Sequence, residues 1–334
     1  MELDFSPSTP WAIQPEKLIE LNAYKTRCAL PPTIRADRSP LSYEAINGVA
    51  VLPLSGVLAK HMTPLLSFFG GTSTEMAGRL FDHALNEPGV ESIALMIDSP
   101  GGTVDGTQTL ANKILAARGK KPITAFADGN MCSAAYWIGA SADRIYATSG
   151  VAQIGSIGVV SSHIDVSGMQ AQRGVKTTEV AAGKYKRIAS NYAPLSEEGR
   201  ADIQSTVDYL YSLFVQHVAT ARRATEQVVL NTMADGRVFI GQQAVSAGLV
   251  DGIMTFDNFL KGNKTMENRT HQDGANAWAS DREALHAKAK QYQESHPGID
   301  YSGAIAAVVG EIRVAAGRAI ASDSEKLRGW NGHG

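Results

Sequence analysis

At 334 residues, 44% hydrophobic and 19% charged, the chain carries enough apolar material for one large α/β domain with extensions, or for two modest domains. With 31 Lys and Arg against 33 Asp and Glu, the net charge of -2 excludes a globally basic nucleic-acid binder and an acidic disordered chain alike. The cysteines, Cys28 and Cys132, are too few for a disulfide framework or a four-cysteine zinc site and are expected as reduced thiols of a cytosolic protein.

Residues 1–15 hold acids and prolines, with no basic stretch leading into an apolar one, so no secretory signal is expected. Prolines 7, 10, 15, 31, 32 and 40, with one helical stretch over 16–26, mark residues 1–45 as an extension. From Ile46 the texture changes. Residues 48–57 and 93–97 are apolar, β-branched runs of the kind buried on both faces of a sheet. Between them, 74–86 places Met76, Leu80, Phe81 and Leu85 at helical spacing. Residues 63–71 are apolar but broken by Pro64, Gly70 and Gly71, which predicts a loop or surface lip. No apolar run reaches the roughly 18 residues that a membrane-spanning helix needs.

The alternation continues with a helix over 106–118, a strand at 123–127, a helix over 133–141 and short strands at 144–147 and 157–160. It predicts a mainly parallel sheet with helices on its faces. Ser196-Glu197-Glu198 starts a helix running through Asp208 toward Ala221. Residues 225–233 form another, and a short one ends at Gly248. Past Gly262 the composition turns to Asn, Gln, His, Asp and Lys, with helical readings for 280–295 and 303–321. The expected division is an extension (1–45), a catalytic domain (46–260), a linker (261–279) and a helical tail (280–334).

Two turns carry chemistry. Asp98-Ser99-Pro100-Gly101-Gly102 closes a strand and opens toward a helix. Its glycines let a backbone N–H face a ligand, as an oxyanion site requires, although such a turn is more often structural. It fits no phosphate-binding template. Asn130 to Trp137 puts Ser133 between a strand end and a helix start. The bland reading of Ser133 is a helix cap; the functional one is a nucleophile beside the Ala134 amide. Cys132 is read as a small buried packing residue. A nucleophilic serine needs a base. His163 sits in a polar turn typical of surface histidines, whereas a lysine of the 183–187 cluster, carried into an apolar cleft, would lose its charge and act as a neutral base. Spacing alone does not choose between Lys184 and Lys186.

These segments, taken in order with Thr148 to Val160, Gly183 to Lys186, Asp235-Gly236-Arg237-Val238 and Gly248-Leu249-Val250-Asp251, resemble the successive blocks of the signal peptide peptidase A family over about 46–260. The opening block, Asn47 to Gly56, is most similar to the phage branch, the capsid (prohead) proteases of lambda-type tailed phages. The resemblance implies a Clp/crotonase-like α/β spiral fold and a serine/lysine dyad of Ser133 as nucleophile and Lys186, not Lys184, as base. It further implies oxyanion donors at Gly102 and Ala134, with Gly101 lining the same site, and Ser156 as a hydroxyl that orients the lysine. Ala134-Ala135 replaces the glycines common after the nucleophile, which alters the pocket wall while keeping the N–H.

No cofactor or metal is called for, and neither nucleic acid nor membrane is expected as a partner. The expected partners are scaffold, capsid and portal proteins of a phage head, and further copies of the chain in a homo-oligomer that completes and shields the site. The setting is the host cytoplasm or the prohead interior. Competing readings are a bacterial peptidase of the same family, a catalytically idle assembly protein, and a crotonase-type acyl-CoA enzyme, which has no need of Ser133 and Lys186. In the phage proteases that the chain resembles, a scaffold segment follows the protease and can be made from an internal start, and the resemblance implies Met266 for that place; the competing reading is a flexible linker with a helical oligomerisation tail.

Overall fold

The computed structural model describes residues 10–14, 42–61, 70–267, 287–288, 290–298 and 307. The helix expected over 16–26, the lip at 63–69, Cys28 and all of the 303–321 helix but residue 307 lie outside them. The chain divides into two compact units, Met1–Leu260 and Lys261–Gly334. In the second, residues 290–295 are helical.

The first unit is built on a spiral of two sheets and a helix per turn. Strands β1 (Trp11–Ile13), β2 (Glu44–Ile46), β3 (Val49–Ser55), β4 (Leu58–Ala59) and β5 (Thr72–Ser73) lead into helix α1 (Thr74–Asn86). There follow β6 (Ser92–Ser99), β7 (Gly101–Thr103), α2 (Thr107–Ala117), β8 (Ile123–Cys132) and α3 (Ala134–Gly139). Strands β3, β6 and β8 are parallel neighbours in the large sheet, while β4 and β7, which follow β3 and β6 directly, are parallel neighbours in a small one. Each pass thus crosses from large sheet to small sheet to helix before advancing one strand. The α/β class and mainly parallel order expected from the sequence hold.

The central strands are apolar because both faces are covered: Ile93, Ala94, Leu95 and Ile97 of β6, and residues 123–127 of β8, are buried. Helix α1 begins where Ser73 Oγ accepts the Met76 N–H at 3.2 Å. Its buried stripe is Ala77, Gly78, Phe81 and Ala84, with Leu80 and Leu85 half-buried against the same core and Met76 exposed.

Strand β8 is longer than expected, and its far edge serves two partners in succession. Thr124 to Ala127 pair with β9 (Arg144–Ala147), and Asn130 to Cys132 pair with β10 (Gln153–Gly155). The strand expected at 157–160 is therefore misplaced: the chain pairs earlier, at 153–155, and Gly155 (φ 110°) turns it out of the ladder. Only isolated bridges remain beyond, Ile157 with Ala234 and Val160 with Trp11. Helix α4 (Ser167–Gln172) lies in a largely exposed arm. Helices α5 (Glu197–Arg222) and α6 (Glu226–Thr232) are capped by Ser196 and Thr225. Strand β11 (Val238–Ile240) returns antiparallel to β10, α7 (Gln242–Ser246) follows, and β12 (Gly252–Ile253) adds to β9. Helix α8 (Phe256–Glu267) packs Phe256 and Phe259 edge-on against Phe126, and it continues through residues 261–267, where composition places the start of a linker.

Candidate active site

Ser133 is the single residue between β8 and α3, with φ 55° and ψ -118°, a region that costs a residue bearing a Cβ about 1–3 kcal/mol. Two hydrogen bonds hold it there: its N–H donates to the Gly155 carbonyl at 2.7 Å, and its carbonyl accepts the Trp137 N–H at 2.9 Å. The hydroxyl makes no capping bond to α3; Oγ donates instead to the Gly158 carbonyl at 3.4 Å. The helix-cap reading of Ser133 is thereby set aside. The side chain is buried at 1% exposure.

Gly101 lies against it. A Cβ on Gly101 (φ 109°) would stand 3.0 Å from Ser133 Cβ and 2.3 Å from the Ala12 carbonyl oxygen, so only glycine fits. Its own N–H donates to Ser99 Oγ at 3.1 Å; Gly102 follows it in β7, and Ala134 follows Ser133 as the first residue of α3. Gly102 is fixed as glycine by the Leu58 carbonyl of β4, 1.8 Å from where a Cβ would be. Asp98 ties the strand ends together, accepting from the Asn130 backbone N–H at 3.0 Å and from Asn130 Nδ2 at 3.1 Å. Ser156 stands one residue beyond Gly155, which is in register with Cys132, one residue before Ser133. The two serines therefore leave adjacent parallel strands side by side, and Ser156 also has positive φ (51°), its N–H donating to Arg237 C=O at 2.7 Å. Cys132 is buried and packed, with Sγ accepting from Gln14 Nε2 at 3.2 Å.

The candidate bases fare differently. His163 Nε2 donates to the Ser190 carbonyl at 2.9 Å, and no hydrogen bond joins it to Ser133 among the described residues. Lys184 is exposed and ion-paired with Glu198, which holds its pKa above the usual lysine value and keeps it a cation. Lys186 is exposed in the 161–195 arm, and among the described residues its ammonium has no hydrogen-bond or salt-bridge partner. The single chain therefore brings together Ser133, Gly101, Gly102, Ala134 and Ser156 and leaves Lys186 apart.

Two supports escaped the sequence. One is β1, whose three-residue Trp-Ala-Ile alternation is too short to read as a strand. The other is a clamp on the far end of α3: the Arg118 guanidinium donates to the carbonyls of Ala140, Ser141, Ala142 and Ala221 at 2.7–2.9 Å. Beside it, His217 Nε2 meets Ser141 Oγ at 2.7 Å, and Trp137 stacks on Phe214 at 4.3 Å. Burial, and then the nearby Arg118 charge, lower the His217 pKa to about 4.

Residues 116–270 match the profile of Peptidase family S49. The chain is 34% identical over 217 residues to capsid assembly protease C of Escherichia phage lambda, covering 65% of this chain and 49% of that protein. It is 32% identical over 232 residues to head-tail preconnector protein GP5 of Enterobacteria phage P21, covering 70% and 46%. The chain thus spans about half the length of these curated relatives. Among solved structures, a ClpP1 mutant of Listeria monocytogenes aligns at 13% identity and a TM-score of 0.37, over 62% of this chain and 93% of that one.

Proposed function

We propose, from the premise that this chain carries a peptidase family S49 domain, that it is a serine endopeptidase working through Ser133 and Lys186 on proteins of an assembling phage head. The observation that carries the reading is Ser133 itself: a buried hydroxyl held at positive φ, excused from capping, with Gly101 and Gly102 on one side and Ser156 on the other. In the proposed reaction Ser133 Oγ attacks a peptide carbonyl carbon while the neutral Lys186 amine takes its proton, with Ser156 orienting the amine. The N–H groups of Gly102 and Ala134 donate hydrogen bonds to the oxyanion. The C–N bond breaks as the lysine returns the proton to the leaving amine, and water then hydrolyses the acyl-serine.

Closing the dyad requires Lys186 to reach Ser133. A second copy of the chain seated on the 161–195 arm supplies the means, and this arm exposes Ile164, Met169, Val175, Val180, Tyr185 and Tyr192. Scaffold, capsid and portal proteins are the proposed substrates because two relatives carry head-assembly names; the proposed setting is the host cytoplasm and the prohead. Among the described residues no helix is long and apolar enough to cross a membrane. Residues after about 262 are proposed to serve delivery to the head and not hydrolysis. The test is hydrolysis of a fluorogenic peptide library by the assembled protein. Ser133→Ala and Lys186→Met each lose more than about a thousandfold in kcat/KM, and Lys184→Met loses little. A dead Lys184→Met beside an active Lys186→Met would reassign the base. An active Ser133→Ala would end the reading.

A further inference from the structure

Strand β1 lies along the glycines that flank Ser133. Trp11, Ala12 and Ile13 run antiparallel to β7 with Ala12 opposite Gly102, and all three are at most 3% exposed. On the other edge, Trp11 and Val160 exchange both backbone hydrogen bonds at 2.9 Å. The Gln14 N–H donates to Pro100 C=O at 2.9 Å. Hydrogen-bonded pairs alternate along an antiparallel ladder, so a bonded Gln14/Pro100 pair makes Ala12/Gly102 the next bonded pair. The Ala12 carbonyl therefore faces the Gly102 amide, the same donor assigned to the oxyanion. The Gly101 geometry agrees: a single point lies 2.3 Å from Ala12 O and 3.0 Å from Ser133 Cβ.

We infer that residues 10–14 are a built-in, displaceable occupant of the peptide groove, competing with substrate in a substrate's register, with Ala12 just before the scissile position. This inference rests on the Ser133 peptidase reading and goes beyond it. The segment is anchored on both sides of the Ala12–Ile13 bond: by Val160 before it, and after it by Gln14, whose backbone reaches Pro100 and whose side chain reaches Cys132 Sγ and Gln153 Oε1. Fragments of a chain cut there would both stay bound, which favours resealing over release and suits an inhibitor. The same geometry says what a true substrate looks like. It is an extended peptide with a small residue in the place of Ala12, which lies buried against Gly101, and with apolar neighbours on the opposite face, where Trp11 and Ile13 point.

An occupant that must leave first reduces apparent substrate affinity by the fraction of molecules in which it is out, leaving chemistry untouched. A chain beginning at Pro15 should therefore show KM for a fluorogenic peptide lowered about tenfold or more, with kcat within about twofold. A synthetic peptide of residues 8–16 added to that chain should inhibit competitively. Equal KM in both chains without competition would overturn the occupant while leaving the peptidase standing. Absence of hydrolysis in both, with no Ser133 labelling by a fluorophosphonate, would take down the peptidase reading and this inference with it. Should the shortened chain not fold, hydrogen exchange on full-length Ser133→Ala decides. Saturating peptide substrate must strip protection from the Trp11 and Ala12 amides, and unchanged protection would make β1 a fixed strand. Release of a fragment ending at Ala12 would show a substrate in place of an inhibitor and would also overturn the proposal.

Discussion

Acidification should loosen the helix that follows Ser133, through His217. This imidazole is 8% exposed, and burial, reinforced by the Arg118 guanidinium, holds its pKa near 4 against about 6.5 in an unfolded chain. The depressed value means the folded state keeps His217 neutral while the unfolded state takes up a proton as pH falls past 6.5. Stability is therefore full above about 6.5 and declines toward about 4, below which both states are protonated. A gap of that size amounts to about 3 kcal/mol over the whole window, a slope approaching 1.4 kcal/mol per pH unit. Carboxylates held low by their partners, such as Glu75 by Arg79 and Glu198 by Lys184, release their contributions at more acid pH and leave this window to the histidine. The assay is urea unfolding followed by far-UV circular dichroism at pH 7, 6 and 5, for the native chain and for His217→Gln, which keeps a hydrogen-bonding side chain near Ser141 without titrating. The native chain should lose stability by one proton's slope more than the variant. Parallel pH profiles would refute the buried neutral imidazole.

Arg118→Met leaves four carbonyls at the α3 and α5 ends without their donor and should cost about 3–5 kcal/mol, read as a lowered midpoint in thermal unfolding. A shift within error would mean that water replaces the guanidinium at no cost. Ser156→Ala should reduce kcat about tenfold with KM and melting temperature unchanged, as a group that orients the base would. A matching fall in stability would assign the hydroxyl to the scaffold instead.

What the sequence made legible followed from local chemistry. The apolar run of β6 and the Ser196-Glu197-Glu198 start of α5 announce themselves, because burial on both faces and a side-chain cap leave marks in consecutive residues. Around Ser133 the pattern allowed two roles, cap or nucleophile; what removes the first is an unused capping bond at an unusual backbone angle, neither written in residue type. Lys184 and Lys186 look alike in sequence; Glu198, across a loop and into α5, distinguishes them. The 157–160 run misled because hydrophobic residues there line a turn beyond Gly155 while pairing happens upstream. Strand β1 was invisible for the same reason in reverse: three residues become a strand only because β7 and Val160 are waiting on either side.

The fork in β8 also sets a timetable. Ser133 and Ser156 sit beside β10, and β10 is closed on its outer edge by β11, while β9 is closed by β12. Those closing strands are translated long after Ser133, so a chain emerging from a ribosome at about 5–20 residues per second passes roughly ten seconds with Ser133 made but its neighbouring sheet edge open. The Arg237 carbonyl that fixes Ser156 arrives only then. Ser133 and Ser156 therefore reach their paired arrangement only once nearly the whole first unit has been synthesised.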